Sequence, residues 1–345
     1  MATYNFTIRA TDNVGAYSDR DFNLTVNNTV YDRFVIVGNT GLVRSPDGIN
    51  WTFEDGLSGF GVNFGGGQWL VWTNTTIMRR SVDGTNWITY TPTFTGNPGA
   101  ISFVNHLRYI NGAWTGLFSS TVSGGGLVEM TSTDGIAWTY VALVTGTANT
   151  ASADFDIDPA GNMVTRDSNT FMYRKDAVTK VWSRVGANLT FPYQNNAAST
   201  IRYYNGVWIY MAGYGAAAAS CYATSVDAIN WVVRPNAETI TGLTYVNGRI
   251  LSMIYNPSTP TSNTMYASTN AGRSFSQYGN NTAKPGLMNN ASGRQGFAYF
   301  GGTLLYGVTG SGALHRSTDD GLNWTRSNLP GLTSCFAVAA RDGIL

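Results

Sequence analysis

One short motif, Ser-X-Asp-Gly-X-X-Trp or a close relative, returns along most of the chain and constrains its fold more than any other feature. It reads Ser45-Pro46-Asp47-Gly48-Ile49-Asn50-Trp51, then Ser81 to Trp87, Ser132 to Trp138 and Ser225 to Trp231, with Asp83, Asp134 and Asp227 in the third position. Looser copies run from Ser268 to Phe275 around Asn270 and from Ser317 to Trp324 around Asp319, and a decayed copy is Asp176 followed by Trp182. The aromatic ends 51, 87, 138, 182, 231, 275 and 324 are 36, 51, 44, 49, 44 and 49 residues apart. That is the period of a four-stranded propeller blade and not of a helical repeat. The expected fold is all-β: a seven-bladed β-propeller with four-stranded blades.

The motif also has a local physical logic. An Asp at a tight strand-to-strand turn accepts hydrogen bonds from the turn's own N–H groups, a Gly supplies positive φ, and the Trp drops onto the sheet beside it. Each copy is read as a structural clasp between strands c and d, at Asp47, Asp83, Asp134, Asp176, Asp227, Asn270 and Asp319. A carboxylate occupied by backbone donors is a poor base, and copies spread around a ring cannot converge on one substrate. At Asn270 an amide oxygen can take over the accepting role but not that of an ionised acid.

These motifs resemble those of the Asp-box propellers, or bacterial neuraminidase repeat proteins. That group includes sialidases, some glucanases, photosystem assembly factors and many surface and phage proteins. The resemblance covers residues 32–345 and implies the fold; the clasp serves enzymes and non-enzymes alike, so it does not imply the activity.

A second signature runs out of phase with the first. Gly66-Gly67, Asn111-Gly112, Gly161-Asn162, Asn205-Gly206, Asn247-Gly248 and Gly301-Gly302 each precede an apolar strand, and such dipeptides are strong hairpin signals. A blade therefore reads as strand a, this turn, strand b, a variable loop, strand c, the clasp and strand d. The first clasp is preceded only by strands b and c, beginning at Arg33-Phe34-Val35-Ile36. The missing strand a is expected between Leu332 and Ala340, followed by a turn at Asp342-Gly343. The ring would then close through a shared blade, leaving no free sheet edge.

Residues 1–31 lie outside the ring pattern. Tyr4 to Asp12 and Asp21 to Asn27 alternate apolar and polar residues around a turn at Asn13-Val14-Gly15-Ala16. The pair resembles the last hairpin of a cadherin-like or immunoglobulin-like sandwich. That implies either a partial domain of a longer surface protein or an extension docked on a blade, since a lone hairpin is marginal in water.

Composition narrows the setting. The net charge of +1 and a charged fraction of 12% argue against nucleic acid, which requires a basic face. No apolar run is long enough to span a bilayer as a helix. Lysine is confined to Lys175, Lys180 and Lys284. Cys221 and Cys335 would sit blades apart and are read as core residues. With two histidines, His106 and His315, and no metal-ligand spacing, neither a metal nor a cofactor is expected.

Insertions concentrate on one face. Strand b to the clasp Asp or Asn spans 13 to 15 residues in four blades but 19 or 20 in blades three, five and six. The added segments, 119–126, 214–220 and 256–263, with the crossovers 91–99 and 191–198, would wall a shallow cleft on the face of the b–c loops. Phe118, Tyr193, Tyr214 and Tyr255 are candidates to stack on sugars, with Arg166 nearby, and Asp167 is the candidate acid. Asp154, Asp156 and Asp158 alternate along an inner strand and would face the channel as solvated carboxylates.

An enzyme reading lacks its residues. The strand that should carry a sialidase-like Arg reads Asp32-Arg33-Phe34-Val35-Ile36, without the Pro, and a glucanase-like site needs two facing carboxylates. The assembly-factor type uses clustered Arg, and Arg79-Arg80 is a thin cluster. The sequence therefore favours a non-enzymatic recognition or structural propeller of a surface or virion protein, phage tail-associated or adhesin-like. It would touch surface glycan or a host receptor outside the cell, with no nucleic-acid partner and no membrane insertion. A glycoside hydrolase or lyase and an assembly-factor-like scaffold are the alternatives.

Overall fold

The computed structural model describes residues 2–26, 32–73, 77–121, 125–145, 154–167, 171–186, 200–211, 220–236, 239–255, 264–279, 296–307 and 312–341. It divides into two compact units, 1–31 and 32–345. The larger is an all-β propeller of seven blades, each an antiparallel four-stranded meander. In blade 1 the innermost strand is Cys335–Ala340, paired antiparallel with Phe34–Gly38 in the register Phe34↔Ala340, Val35↔Ala339, Ile36↔Val338. Arg341 N donates to Arg33 O at 2.7 Å and continues the ladder by one bond. The ring thus closes with strand a from the C-terminal side and strands b to d from the N-terminal side. The turn expected at Asp342-Gly343 lies outside the described residues.

Period-two alternation explains why these strands read as near-continuous apolar runs. Successive side chains point to opposite sheet faces, and in a ring each face packs on a neighbouring blade. Val35 and Val37 join Val62, Trp69 and Val71 of blade 2, whereas Phe34 and Ile36 join Ala298, Leu305 and Leu314 of blade 7. Strand a divides likewise, with Ala337 and Ala339 on one side and Val338 and Ala340 on the other.

The a–b turns adopt the mirror-image form the dipeptides require. Asn111, Asn205 and Asn247 have φ of 50°, 51° and 46°, and each is followed by a Gly with positive φ. Blade 3 departs from the expected plan. The crossover 91–99 does not stand as a wall: Thr93–Thr95 forms a fifth strand parallel to Ala137–Thr145. Its Phe94 ring meets Phe118 edge-on at 5.8 Å.

The smaller unit is a hairpin, Ala2–Thr11 with Tyr17–Val26. Asp12 Oδ1 accepts from Val14 N and Ala16 N and pins the turn. Phe6 and Phe22 stack at 5.6 Å, and Arg9 pairs with Asp19 at 2.7 Å.

Candidate functional site

The clasps hold six of the chain's twenty acids. In blade 1, Asp47 Oδ1 accepts from Ser45 Oγ, Ile49 N and Asn50 N, and Asp47 Oδ2 accepts from Asn50 Nδ2. Gly48 N donates to Ser45 Oγ. The same carboxylate contacts recur around Asp83 and Asp227, Asp319 accepts from Ser317 Oγ, Asn323 N and Asn323 Nδ2, and Asp134 accepts from Ile136 N and Ala137 N. At Asn270 the amide oxygen accepts from Ser268 Oγ and Ser274 N. Partial burial pushes the Asp47 carboxyl up, but the N–H donors of Asn50 and Ile49 outweigh it and hold the pKa at about 2. Asp176 is also held at about 2, by the N–H groups of Thr179 and Val178.

Blade 4, where the clasp has decayed, is locked by different chemistry. In blades 2, 3, 5 and 7 the clasp Trp donates Nε1–H to a carbonyl of its own turn, as Trp138 does to Gly135 O at 2.9 Å. Trp182 instead donates to Glu129 Oε2 of blade 3 at 2.7 Å, and Lys175 Nζ reaches both Glu129 oxygens at 2.7 and 2.8 Å. Lys175 and Glu129 are buried. Lys175→Met should lower stability by about 3–5 kcal/mol, because it strands a buried carboxylate. Glu129→Leu combined with Lys175→Met should recover part of that loss in urea unfolding. A cost below about 1 kcal/mol for the single variant would show the pair to be idle.

The inner strands carry a charged cluster where solvated carboxylates were expected. Innermost strands are sheet edges whose free N–H groups face the channel. Asp154 Oδ2 accepts from Ile201 N at 3.3 Å and Asp156 Oδ2 from Tyr203 N at 2.8 Å, so blade 4 carboxylates cap the edge of blade 5. Asp154 also bonds Arg202 and lies 3.4 Å from His106 Nε2, and Asp156 lies 3.4 Å from Arg108 Nη1. Burial pushes Asp154's carboxyl up, yet the charges of Arg202, His106 and Arg108 outweigh it and hold the pKa below the ordinary range. Asp158 is apart from the cluster and closes the a–b turn through Asn162. The carboxylates were visible in the sequence; their cations were not, because Arg108 and Arg202 are brought to them by blade packing alone.

The expected upper-face residues are placed as follows. Phe118 is fully buried, packed on Trp138 at 5.1 Å and clustered with Leu70 and Trp72 of blade 2. It offers no face to a ligand. Asp167 and Arg166 are also buried. Asp167 closes the b–c turn by accepting from Phe171 N at 2.9 Å and Tyr173 Oη at 3.2 Å, and Arg166 stacks over Tyr210 at 5.4 Å. Tyr193 and Tyr214 lie outside the described residues. Tyr255 ends strand b of blade 6, and its side chain lies outside them too. Cys335 is buried, and its thiol donates to Ala313 O at 3.7 Å.

Three other aromatics meet on that face. Phe60, Phe103 and Phe336 stand at the entry of the inner strands of blades 2, 3 and 1, where the crossovers descend into the ring. Phe60 stacks on Phe336 at 5.8 Å and leans on Phe103 at 6.0 Å. Phe60 and Phe336 line a cavity of about 290 Å³ together with Asn39, Ser58 and Thr73. Phe60 remains 41% exposed. The sequence signal was a Phe at the start of three inner strands, hidden because each reads as an ordinary strand residue.

Among the described residues no three His, Cys, Asp or Glu side chains are grouped to hold a metal ion. No family model matches the chain, and no curated protein matches it. Solved structures similar to it include the computationally designed Ika8 protein, at 8% identity over 90% of this chain and 91% of that one, TM-score 0.50. YCF48 bound to D1 peptide aligns at 15% identity over 74% of this chain and 86% of that one, TM-score 0.49. The arabinanase Arb43A of Bacillus subtilis aligns at 16% identity over 57% and 88%, TM-score 0.35. At such identities the likeness is one of fold.

Proposed function

We propose that this chain is a non-enzymatic recognition propeller of the Asp-box type, carried by a surface or virion protein, and that its upper mouth holds a saccharide. The observation that carries this reading is the Phe60–Phe103–Phe336 platform beside a cavity edged by Asn39, Ser58 and Thr73. Exposed ring faces take the apolar face of a sugar, and a polar rim takes its hydroxyls. The reading is supported further by what occupies the acids. Glu54 pairs with Arg44, Glu129 with Lys175, Asp154 with Arg202, and the clasp carboxylates hold turn N–H groups. None of these is poised as a general acid.

The test is a glycan array read beside a hydrolase screen on the same sample. Phe60→Ala should weaken retained glycan about tenfold, the loss of one stacking face, with little change in melting temperature because Phe60 is half exposed. Binding indifferent to Phe60→Ala would remove the site, and released sugar would overturn the non-enzymatic reading.

A further inference from the structure

The opposite mouth of the channel carries a second, chemically different cavity. It measures about 240 Å³ and is lined by Asn63, Phe64, Arg108, Tyr109, Asp156 and Ile157. These residues come from the lower ends of the inner strands of blades 2, 3 and 4, beside the a–b turns. Asn63 is engaged at both ends of its amide, donating to Leu107 O and accepting from Phe64 N. Arg108 is not. It is only 8% exposed, and its Nε and Nη2 have no hydrogen-bond acceptor among the described residues. Its Nη1 faces Asp156 Oδ1 at 3.4 Å and its Nη2 faces Asp154 at 3.9 Å, which is ion-pair contact without a hydrogen bond. In the same cluster Arg202 Nε and the Tyr204 hydroxyl also lack a partner.

A buried guanidinium whose carboxylate contacts are too long for hydrogen bonds is costly, so a ligand oxygen that reaches its Nη1 gains more here than at the surface. The charge balance decides which ligand. Arg108 and Arg202 face Asp154 and Asp156, two guanidinium cations against two anions, and His106, which lies against Asp154, does not line the cavity. A carboxylate would therefore enter beside Asp156 with no cation in excess. A hydroxyl suits the gap better, since its oxygen accepts from Arg108 while its proton goes to Asp156 Oδ1. We propose that this cavity is a binding site for a neutral polyol, one sugar ring presenting adjacent hydroxyls between Arg108 and Asp156, with Phe64 and Tyr109 against its apolar face. The cavity is somewhat below the roughly 300–1,000 Å³ of drug-sized sites, in keeping with a single ring. The assignment does not rest on the upper-mouth reading, and its residues are separate from Phe60 and Phe336.

The full chain, labelled with ¹⁵N at arginine, would be titrated with myo-inositol and with methyl α-D-mannopyranoside, following the Arg side-chain Nε–H signals, and separately with acetate. Saturable shifts of the Arg108 signal at millimolar polyol, unmoved by acetate, are expected. Arg108→Lys keeps the charge but not the guanidinium geometry and should weaken binding about tenfold, whereas Phe60→Ala should leave it unchanged. If Arg108→Lys does not fold, Asp156→Asn offers the same comparison with an isosteric side chain. No saturable shift in the unmodified protein, a preference for acetate, or binding lost in Phe60→Ala and kept in Arg108→Lys would each overturn the proposal.

Discussion

A chain ending at residue 334 is expected to lose cooperative folding rather than to melt slightly earlier. Removing Cys335–Ala340 strips Phe34–Gly38 of its ladder partner and takes Ala337 and Ala339 from the contact with blade 2, and Val338 and Ala340 from that with blade 7. Burial of Val338 contributes about 1.5–3 kcal/mol and of each Ala methyl about 0.8 kcal/mol. With the broken ladder, the sum approaches the roughly 5–15 kcal/mol that holds a whole domain. The newly bared edge would also invite association between chains. Val338→Asp should act in the same direction, because it buries an unpaired carboxylate between two blades. A truncated chain whose urea transition keeps its midpoint and slope would show that the ring does not depend on this strand.

Acid is expected to destabilise the protein well before its carboxylates titrate, and His315 is the reason. The imidazole lies on strand c of blade 7, fully buried, with neither ring nitrogen bonded among the described residues. Burial first, and then the charge of Arg326, lower its pKa from an ordinary 6.5 to about 3. The unfolded chain therefore binds this proton below about pH 6.5 while the folded one refuses it until about pH 3. Stability is full above that window and falls steadily through it as the pH drops. At about 1.4 kcal/mol per pKa unit the fall amounts to about 4–5 kcal/mol. His315→Leu should flatten the stability profile between pH 6.5 and 4, and it should be no less stable at pH 7, since it removes two unsatisfied polar atoms. The clasp carboxylates act lower. With Asp47 held at about 2, their contribution is present above the ordinary carboxylate range and is lost as the pH falls toward 2. A wild-type profile flat from pH 7 to 4 would dismiss His315 as the acid-sensitive group.

The fold was legible because its determinants are local and repeated. Ser45, Asp47 and Gly48 form their clasp from neighbours in the chain, and Asn111-Gly112 forms its turn the same way, so each signal survives without knowledge of the ring. Closure was legible for a similar reason: Cys335–Ala340 is a strand a without a strand b after it, and Phe34–Gly38 a strand b without a strand a before it. The blade 4 lock was not, because Glu129 and Lys175 are 46 residues apart and only the packing of blade 4 on blade 3 brings them together.

What the sequence determined by itself was the number of blades, the clasp chemistry and the sharing of the first blade, since hydrogen bonds and alternation act over a few residues. What the tertiary structure decided was which side chains face a ligand. Phe118 has the same alternation as a loop aromatic but turns into the contact with blade 2, while Phe60, Phe103 and Phe336 gather from three blades. Asp156 meets Arg108 only because neighbouring inner strands converge on one axis. Convergence around an axis is a property of the closed ring, and no stretch of the chain contains it.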